Sequence, residues 1–204
     1  DRQRDPAPDT LSAPVFTRDS ELYGWGGLNE AMFLLVNRHH GPTLDSIALA
    51  LTALGHPKLY PFYLAIALSW NAWRPASLPL RNVATFAIGY VVLSMVLVPV
   101  LKGMLDFPRP LAVLGEHVVT IVGKPDAAHS FPSGHAAFAV LVAASLAPGI
   151  ARAAQIALAI FALLVCVSRL STGAHFPADV LVGALLAIAV AAAVRRYVPN
   201  RKRA

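Results

Sequence analysis

Three short polar stretches interrupt a chain that is otherwise strongly apolar, and they hold the residues that could do chemistry. They read KGMLDFPRP, SFPSGHAAF and SRLSTGAHFPAD. The candidate residues in these stretches are cations, histidines, a serine, a glycine and a carboxylate. They are Lys102, Arg109, Ser133, Gly134, His135, Arg169, His175 and Asp179. Histidines near a carboxylate suit nucleophilic and acid–base chemistry. The cations beside them indicate a negatively charged reactant.

The permanent cations of this set, Lys102, Arg109 and Arg169, favour a polyanionic group. Phosphate fits best, because arginine offers a planar fork of donors and lysine a point charge. Ser133 lies at the expected N-cap of a helix, and the free amides of that first turn, Gly134 included, would also bind an anion. A metal fits poorly, since the cations would repel it and a single carboxylate is at hand. We therefore expect phosphate chemistry with no metal and no other cofactor.

The spacing within these stretches resembles the three signature motifs of the type 2 phosphatidic acid phosphatase (PAP2) superfamily. Residues 102–110 read KX6RP, residues 132–135 read PSGH and residues 168–179 read SRX5HX3D, in the right order and without a departure. The resemblance covers roughly residues 102–179. Soluble acid phosphatases and vanadium haloperoxidases share these motifs, but the long apolar runs indicate the membrane branch, the bacterial lipid phosphatases.

The resemblance also implies a role for each residue that matches a motif. His175 is implied to attack phosphorus and form a phosphohistidine, while Asp179 holds its imidazole in the attacking tautomer. His135 is implied to protonate the leaving oxygen. The residues implied to hold the equatorial oxygens of the pentacoordinate state are Lys102, Arg109, Ser133, Gly134 and Arg169.

The elements that must position these residues are membrane helices. Of the 204 residues, 56% are apolar and only 14% charged, and the mean hydropathy is +0.59. An ordinary soluble domain is about 25% charged. Uncharged apolar runs fill most of the chain after residue 45, which leaves no room for a water-soluble module. We therefore predict an all-α fold, an integral membrane bundle of about six transmembrane helices with an N-terminal amphipathic helix.

The apolar runs place the predicted spans at residues 46–57, 59–73, 82–101, 136–151, 153–168 and 176–194. Gly55, His56 and Pro57 form a turn signal, so we expect two short helices at the first pair of runs, with one long helix as the alternative. Residues 82–101 are long enough to cross a bilayer. Residues 25–37 carry apolar side chains at helical spacing and are predicted to lie along the membrane surface.

The positions of lysine and arginine predict the orientation, because cytoplasmic loops carry the excess of these residues. The basic C-terminal cluster at 195–203, Arg152 and the 74–81 loop would then be cytoplasmic, as would both termini. The 102–135 connection and the 170–174 turn would face outward. All three polar stretches therefore meet at the periplasmic or outer face of the plasma (bacterial inner) membrane.

Composition divides the chain into three parts. Residues 1–20 are rich in charge and proline and are predicted to form a flexible tail. Residues 21–197 form the PAP2-like transmembrane domain, and residues 198–204 form a basic cytoplasmic tail. The start of the chain lacks the basic-then-apolar order of a cleavable signal peptide, so we expect insertion through the internal segments.

The remaining polar features predict no further chemistry. The charge of +6 and pI near 9.9 do not predict nucleic-acid binding, because the basic residues form no stripe with aromatics between them. Cys166 is the only cysteine, so no intrachain disulfide and no cysteine metal cluster can form. His39, His40 and His56 lie at the ends of apolar runs and are interpreted as solvated or interfacial.

Taken with the resemblance, the sequence predicts a lipid phosphatase whose partners are the bilayer and a lipid with a phosphate or diphosphate headgroup. Undecaprenyl diphosphate is the first expected substrate, since a compact enzyme with an outward site suits a carrier whose headgroup is only phosphate. Phosphatidylglycerophosphate, phosphatidic acid, lipid A 1-phosphate and transfer of the phosphoryl group to another lipid are the alternatives. A transporter is disfavoured, because the spans carry almost no charge.

Overall fold

The structure, a computed structural model, describes residues 21–124 and 129–199, and these ranges contain helices and loops but no strand. The principal helices are α1 (Leu28–Asn37), α2 (Pro42–Leu54), α3 (Tyr60–Trp73), α4 (Leu80–Tyr90, Val91–Leu97 and Val98–Leu105), α5 (Pro110–Leu114), α6 (Gly134–Leu146), α7 (Arg152–Ser171) and α8 (Pro177–Tyr197). Short helical turns at Glu21–Gly24, Trp25–Gly27 and Pro57–Leu59 complete the list. The all-α prediction is confirmed. The predicted N-terminal tail, and the C-terminal tail beyond residue 199, lie outside the described residues.

Helix length and composition mark where the bundle can cross a membrane. Within the described ranges, the stretch Leu80–Leu114, which contains α4 and α5, is long and apolar enough to do so, as are α7 and α8. The helices α2 and α6 are apolar but shorter. A membrane-spanning helical bundle is therefore confirmed, and the count of six spans stays a prediction.

Residues 42–73 form two helices, α2 and α3, as the turn signal predicts. The α2 helix ends at Leu54, and the 3-10 turn Pro57–Leu59 leads into α3. At Gly55, an added Cβ would lie only 2.3 Å from Cγ1 of Val165 in α7. Glycine therefore lets this turn pack directly against the neighbouring helix, and the alternative of one long helix is wrong.

The centre of the bundle is α6, which contacts α4, α7 and α8. Its buried face is rich in small residues, and Ala136, Ala137 and Ala139 are fully buried. Small side chains let helix backbones approach closely inside a membrane. At Gly183 of α8, an added Cβ would lie 2.6 Å from the carbonyl oxygen of Ser133. The start of α6 is thus held against α8.

The N-terminal helix α1 has the apolar stripe that the sequence predicts. This stripe is exposed, and the opposite face of the helix is buried. Leu28, Met32 and Leu35 are exposed on the outside of the bundle. Asn29 and Asn37 are buried together with Phe33, which places them on the side facing α7 and α8. The polar face of this helix therefore contacts protein, and its position along the membrane surface stays a prediction.

The buried asparagines of α1 connect this helix to the loops at one end of the bundle. Asn29 Oδ1 accepts a hydrogen bond from the backbone N–H of Ala178 at 2.9 Å. The Asn37 amide donates to the carbonyls of Thr120 and Ser171 at 2.9 and 3.1 Å, and its Oδ1 accepts from the Thr120 N–H. These bonds satisfy backbone groups that would otherwise be buried without partners.

Candidate active site

A cavity of about 620 Å³ opens at the end of the bundle that contains the end of α4 and the start of α6. The predicted site residues that line it are Lys102, Arg109, Gly134, His135, Arg169 and His175. Other polar residues of the lining are Thr52, His56, Lys124 and Thr172. The fold therefore brings all three polar stretches of the sequence to one place.

His175 lies in the loop before α8, and Asp179 lies in the first turn of that helix. The distance from His175 Nδ1 to Asp179 Oδ2 is 3.4 Å, and both side chains are almost completely buried. Asp179 is placed behind His175 and is not part of the cavity lining. A carboxylate can only accept a hydrogen bond, so the proton of a neutral His175 lies on Nδ1 and the lone pair on Nε2.

Burial lowers the pKa of His175 to about 4. The hydrogen bond and negative charge of Asp179 act in the opposite direction, while Arg169 and Arg109 lower the pKa further. The imidazole is consequently neutral at physiological pH. A neutral imidazole oriented by a carboxylate has the form required of a nucleophile.

The start of α6 supplies His135 and the backbone amides of a helix N-terminus. Ser133 is the N-cap, and its Oγ accepts from the Ala136 N–H at 3.5 Å. The Ser133 N–H donates to the carbonyl of Asp179 at 3.0 Å. Ser133 is fully buried and does not line the cavity, whereas Gly134 and His135 do. The cap is therefore where the sequence predicts it, and a direct contact of Ser133 with phosphate stays a prediction.

The cations reach the cavity from different elements. Arg169, in the last turn of α7, is 6% exposed and donates from Nη1 to Thr52 Oγ1 at 2.9 Å. Its buried Nε has no hydrogen-bond partner within the described ranges. Arg109 Nη1 donates to the carbonyl of Ala174 at 3.3 Å, and Lys102 Nζ donates to the carbonyl of His129. The cavity is thus strongly positive, as a site for an anion requires.

The structure adds residues to the site that the motifs do not contain. The Tyr23 hydroxyl donates to Asp179 Oδ1 at 2.7 Å, and the Ser130 hydroxyl donates to Oδ2 at 2.5 Å. Ser130 lies in the same HSFPSGH stretch as His135, which is a weak signal for it. Tyr23 follows a charged, proline-rich segment and gives no signal in the sequence.

His56 is also placed differently from its interpretation as a solvated or interfacial residue. It lines the cavity, and its ring meets the His135 ring edge-to-face with centroids 4.8 Å apart. His39 and His40, by contrast, are not in the cavity lining. His39 contacts the carbonyl of Leu35, and His40 pairs with Asp45.

Apolar membrane-spanning helices that end in a cationic cavity lined by histidines define a class of protein, namely membrane enzymes that act on phosphate groups. The family model of the PAP2 superfamily matches residues 83–203. The chain therefore belongs to the PAP2 superfamily, as its motifs predict, and it is an integral membrane protein of the lipid phosphatase type.

Solved structures that are similar to this chain include the following two. The crystal structure of Aquifex aeolicus LpxE has a TM-score of 0.72 and 30% identity, covering 83% of this chain and 96% of LpxE. The first transmembrane PAP2 type phosphatidylglycerolphosphate phosphatase from Bacillus subtilis has a TM-score of 0.66 and 23% identity, covering 88% of this chain and 89% of that protein. Because its identity is only 23%, the second structure is evidence for a shared fold alone. Comparison with curated protein sequences found no match.

Proposed function

We propose that the protein removes phosphate from a phosphate or diphosphate lipid headgroup through a phosphohistidine on His175, without a metal ion. The observation that carries this proposal is the His175–Asp179 pair at the wall of a cavity that is also lined by His135 and by the motif cations Lys102, Arg109 and Arg169. A neutral nucleophile, a second histidine and fixed positive charge are the groups that phosphoryl transfer needs.

In the first step, Nε2 of His175 forms a bond to phosphorus as the bond from phosphorus to the leaving oxygen breaks. His135 gives its proton to that oxygen, so that the leaving oxygen departs without a full negative charge. The positive charge that develops on the His175 imidazole is stabilised by Asp179. This assignment follows the geometry, because both histidines line the same cavity and Asp179 lies behind His175.

The cations act on the charge of the transferred group. Lys102, Arg109 and Arg169 line the cavity, and the N–H groups at the start of α6 add further donors. The Nε atom of Arg169 is the most specific candidate, since it is buried and its N–H has no hydrogen-bond partner among residues 21–124 and 129–199. Donors that are fixed before the reaction stabilise the transition state without having to reorganise.

In the second step, water attacks the phosphohistidine, and His135, now without its proton, accepts one from that water. The bond from phosphorus to Nε2 breaks, and inorganic phosphate is released. In residues 21–124 and 129–199, no group of three or more His, Cys, Asp or Glu side chains has an arrangement that could hold a metal ion. The lack of such a group in these ranges supports a route without a metal ion, and metal independence is part of the proposal.

For the substrate, we propose undecaprenyl diphosphate presented at the outer leaflet. The cavity lies at one end of an apolar bundle, so a headgroup can enter it while the lipid tail stays in the bilayer. Its volume of about 620 Å³ gives room for more than one phosphate. Phosphatidylglycerophosphate, phosphatidic acid and lipid A 1-phosphate are the competing headgroups.

The experiment is phosphate release by the purified protein, with these four lipids tested in parallel, with and without EDTA. We expect the fastest release from undecaprenyl diphosphate and no loss of activity in EDTA. Vanadate, which adopts a trigonal bipyramidal geometry, should inhibit well below the substrate concentration. Dependence on an added divalent ion would contradict the mechanism, and phosphate appearing on a second lipid would identify a phosphotransferase.

A further inference from the structure

His56 belongs to none of the three motifs, yet it forms part of the cavity wall beside His135. The two imidazole rings meet edge-to-face with centroids 4.8 Å apart. His135 is the residue proposed to protonate the leaving oxygen. His56 therefore borders the side of the cavity through which the leaving group departs.

The turn that carries His56 is fixed against α7. Gly55 packs so closely that an added Cβ would lie 2.3 Å from Val165 Cγ1. One turn earlier in α2, Thr52 accepts from Arg169 Nη1 and contacts the Ser168 hydroxyl at 3.1 Å. The position of His56 is thus set by the same helix that supplies the buried cation of the site.

The hydrogen bonding of His56 defines its tautomer. The backbone N–H of Lys58 donates to His56 Nδ1 at 3.0 Å. A backbone N–H cannot accept a hydrogen bond, so Nδ1 holds its lone pair and the proton of the neutral ring lies on Nε2. His56 consequently offers the cavity one neutral N–H donor on the edge of the ring away from Lys58.

We propose that His56 is a specificity-determining residue whose Nε2–H binds an oxygen of the leaving phosphate when the headgroup is a diphosphate. The proposal rests on the proposed function. It adds the substrate group that His56 recognises, which is the leaving phosphate of a diphosphate headgroup. Cleavage of a lipid diphosphate leaves a lipid monophosphate, which carries further oxygens next to the bridging one. Cleavage of a lipid monophosphate leaves an alcohol, which places no such oxygen near His56.

The test compares undecaprenyl diphosphate with undecaprenyl monophosphate, which share one lipid tail. His56→Phe keeps an aromatic ring against His135 but removes the donor, and His56→Gln restores an N–H. A hydrogen bond to a charged group contributes enough free energy for about a tenfold to hundredfold effect. We expect His56→Phe to lower kcat/KM by about tenfold to hundredfold with the diphosphate and by less than about threefold with the monophosphate. His56→Gln should regain most of the loss.

The matched control is His117→Phe, the same change at an exposed histidine that is not in the cavity lining. The ratio of the two kcat/KM values within one preparation does not depend on how much of a variant is folded. Equal losses on both substrates would overturn the proposal and show that His56 acts through His135. No loss on either substrate would overturn it as well.

The wild-type protein separates this proposal from the function on which it rests. If it releases phosphate from neither lipid nor from the other candidate headgroups, the proposed phosphatase function fails. If it hydrolyses lipid monophosphates but not the diphosphate, the assignment of His56 fails while the phosphatase function stands.

Discussion

The carboxylate of Asp179 is fully buried, so protein groups must replace the water that would otherwise solvate it. The hydroxyls of Tyr23 and Ser130 donate to it at 2.7 and 2.5 Å, and the Phe176 N–H donates at 2.9 Å. These donors share the negative charge that orients His175. Two of these three donors, Tyr23 and Ser130, lie outside the SRX5HX3D motif, so the contact between His175 and Asp179 depends in part on residues that the motif does not contain.

The roles of the two histidines lead to the first prediction. His175→Ala removes the proposed nucleophile and His135→Ala removes the proposed general acid, so each should lower kcat by a factor on the order of 10² or more. Phosphate release by purified protein in detergent measures this effect. His117→Ala is the control, because that side chain is exposed and outside the cavity lining. Turnover close to wild type in either cavity variant would refute the assignment.

The second prediction concerns the Tyr23 hydroxyl and is read from the pH dependence of kcat/KM. The low pKa of His175, about 4, keeps the free enzyme competent until the pH falls toward that value. Tyr23→Phe removes a donor from Asp179, which leaves more negative charge to stabilise protonated His175. The pKa of His175 should then rise, and the acid limb of the profile should move to higher pH.

A control separates this effect from a loss of packing around the ring. Tyr23 packs edge-to-face against Phe107, Phe131 and Phe176, and phenylalanine retains those contacts. Tyr197→Phe makes the same change at an exposed tyrosine and should leave the profile unchanged. An unshifted acid limb in Tyr23→Phe would show that the hydroxyl does not act on the His175–Asp179 pair.

At the scale of elements, the sequence predicts the long apolar helices α4, α7 and α8, because a helix that contacts lipid must be continuously apolar. The turn at Gly55 and the cap at Ser133 were also predictable, since both depend on local chemistry. The π-helical stretch Val91–Leu97 within α4 was not, because its apolar composition does not differ from that of an α-helix. This stretch precedes Lys102 and therefore helps to set the direction of that side chain.

The helix α1 shows why part of the site cannot be read from periodicity. Asn29, Phe33 and Asn37 recur at every fourth position, which places the two asparagines and the phenylalanine on one face of the helix. In a soluble protein such a face contacts water, whereas here it is buried and binds backbone groups at the ends of α7 and α8, while the apolar face points outward. Periodicity finds two faces, and knowing which one contacts protein requires the fold.

The contacts of Tyr23 and His56 with the catalytic residues could not be predicted for a different reason. Each of these residues lies far along the chain from its partner, and neither has a fixed spacing to a motif. The spacing of a motif relates only residues that lie close to one another along the chain. Contacts between segments depend on helix packing, which the sequence pattern does not specify.

The third prediction tests the packing of α8 against α6. Gly183→Ala would place a Cβ 2.6 Å from the Ser133 carbonyl oxygen, so the two helices must separate. We expect a loss of about 1–3 kcal/mol in stability. Because Asp179 and His135 lie next to this contact, kcat/KM should also fall by about a hundredfold. Thermal unfolding in detergent and phosphate release measure the two effects.

Gly103→Ala is the matched change, because an added Cβ there meets nothing within 4 Å. It also lies in a helix, where alanine is the more favourable residue by up to about 1 kcal/mol. Its stability should be equal to or above that of the wild type. If both variants behave alike, close packing at Gly183 does not position the site.

At the scale of the whole molecule, the two ends of the bundle differ in chemistry. The α4 helix begins beside a polar cluster in which Arg195 donates to Asn82 Oδ1 at 3.0 Å and Asn82 donates to the carbonyl of Leu146 at 2.8 Å. It ends at the cavity, with Lys102 in its last turn. The polar cluster around Arg195 and the cavity therefore lie at opposite ends of α4.

This separation makes the orientation testable as the fourth prediction. Lysine and arginine mark the cytoplasmic side of membrane proteins, so the end with Arg195 should be inside and the cavity outside. Glu116→Cys and Ala76→Cys place thiols at exposed positions after and before the long apolar stretch, in a Cys166→Ser background. A membrane-impermeant maleimide applied to intact cells should label residue 116 and not residue 76.

The labelling result also decides which lipids can reach the enzyme. With the cavity outside, a substrate made in the cytoplasm must first be flipped across the bilayer, and the proposed reaction is confined to lipids of the outer leaflet. Labelling of residue 76 alone would invert the topology and move the reaction to the cytoplasmic leaflet. Permeabilised cells, in which both thiols must react, show that each position is accessible and that protection reflects the membrane itself.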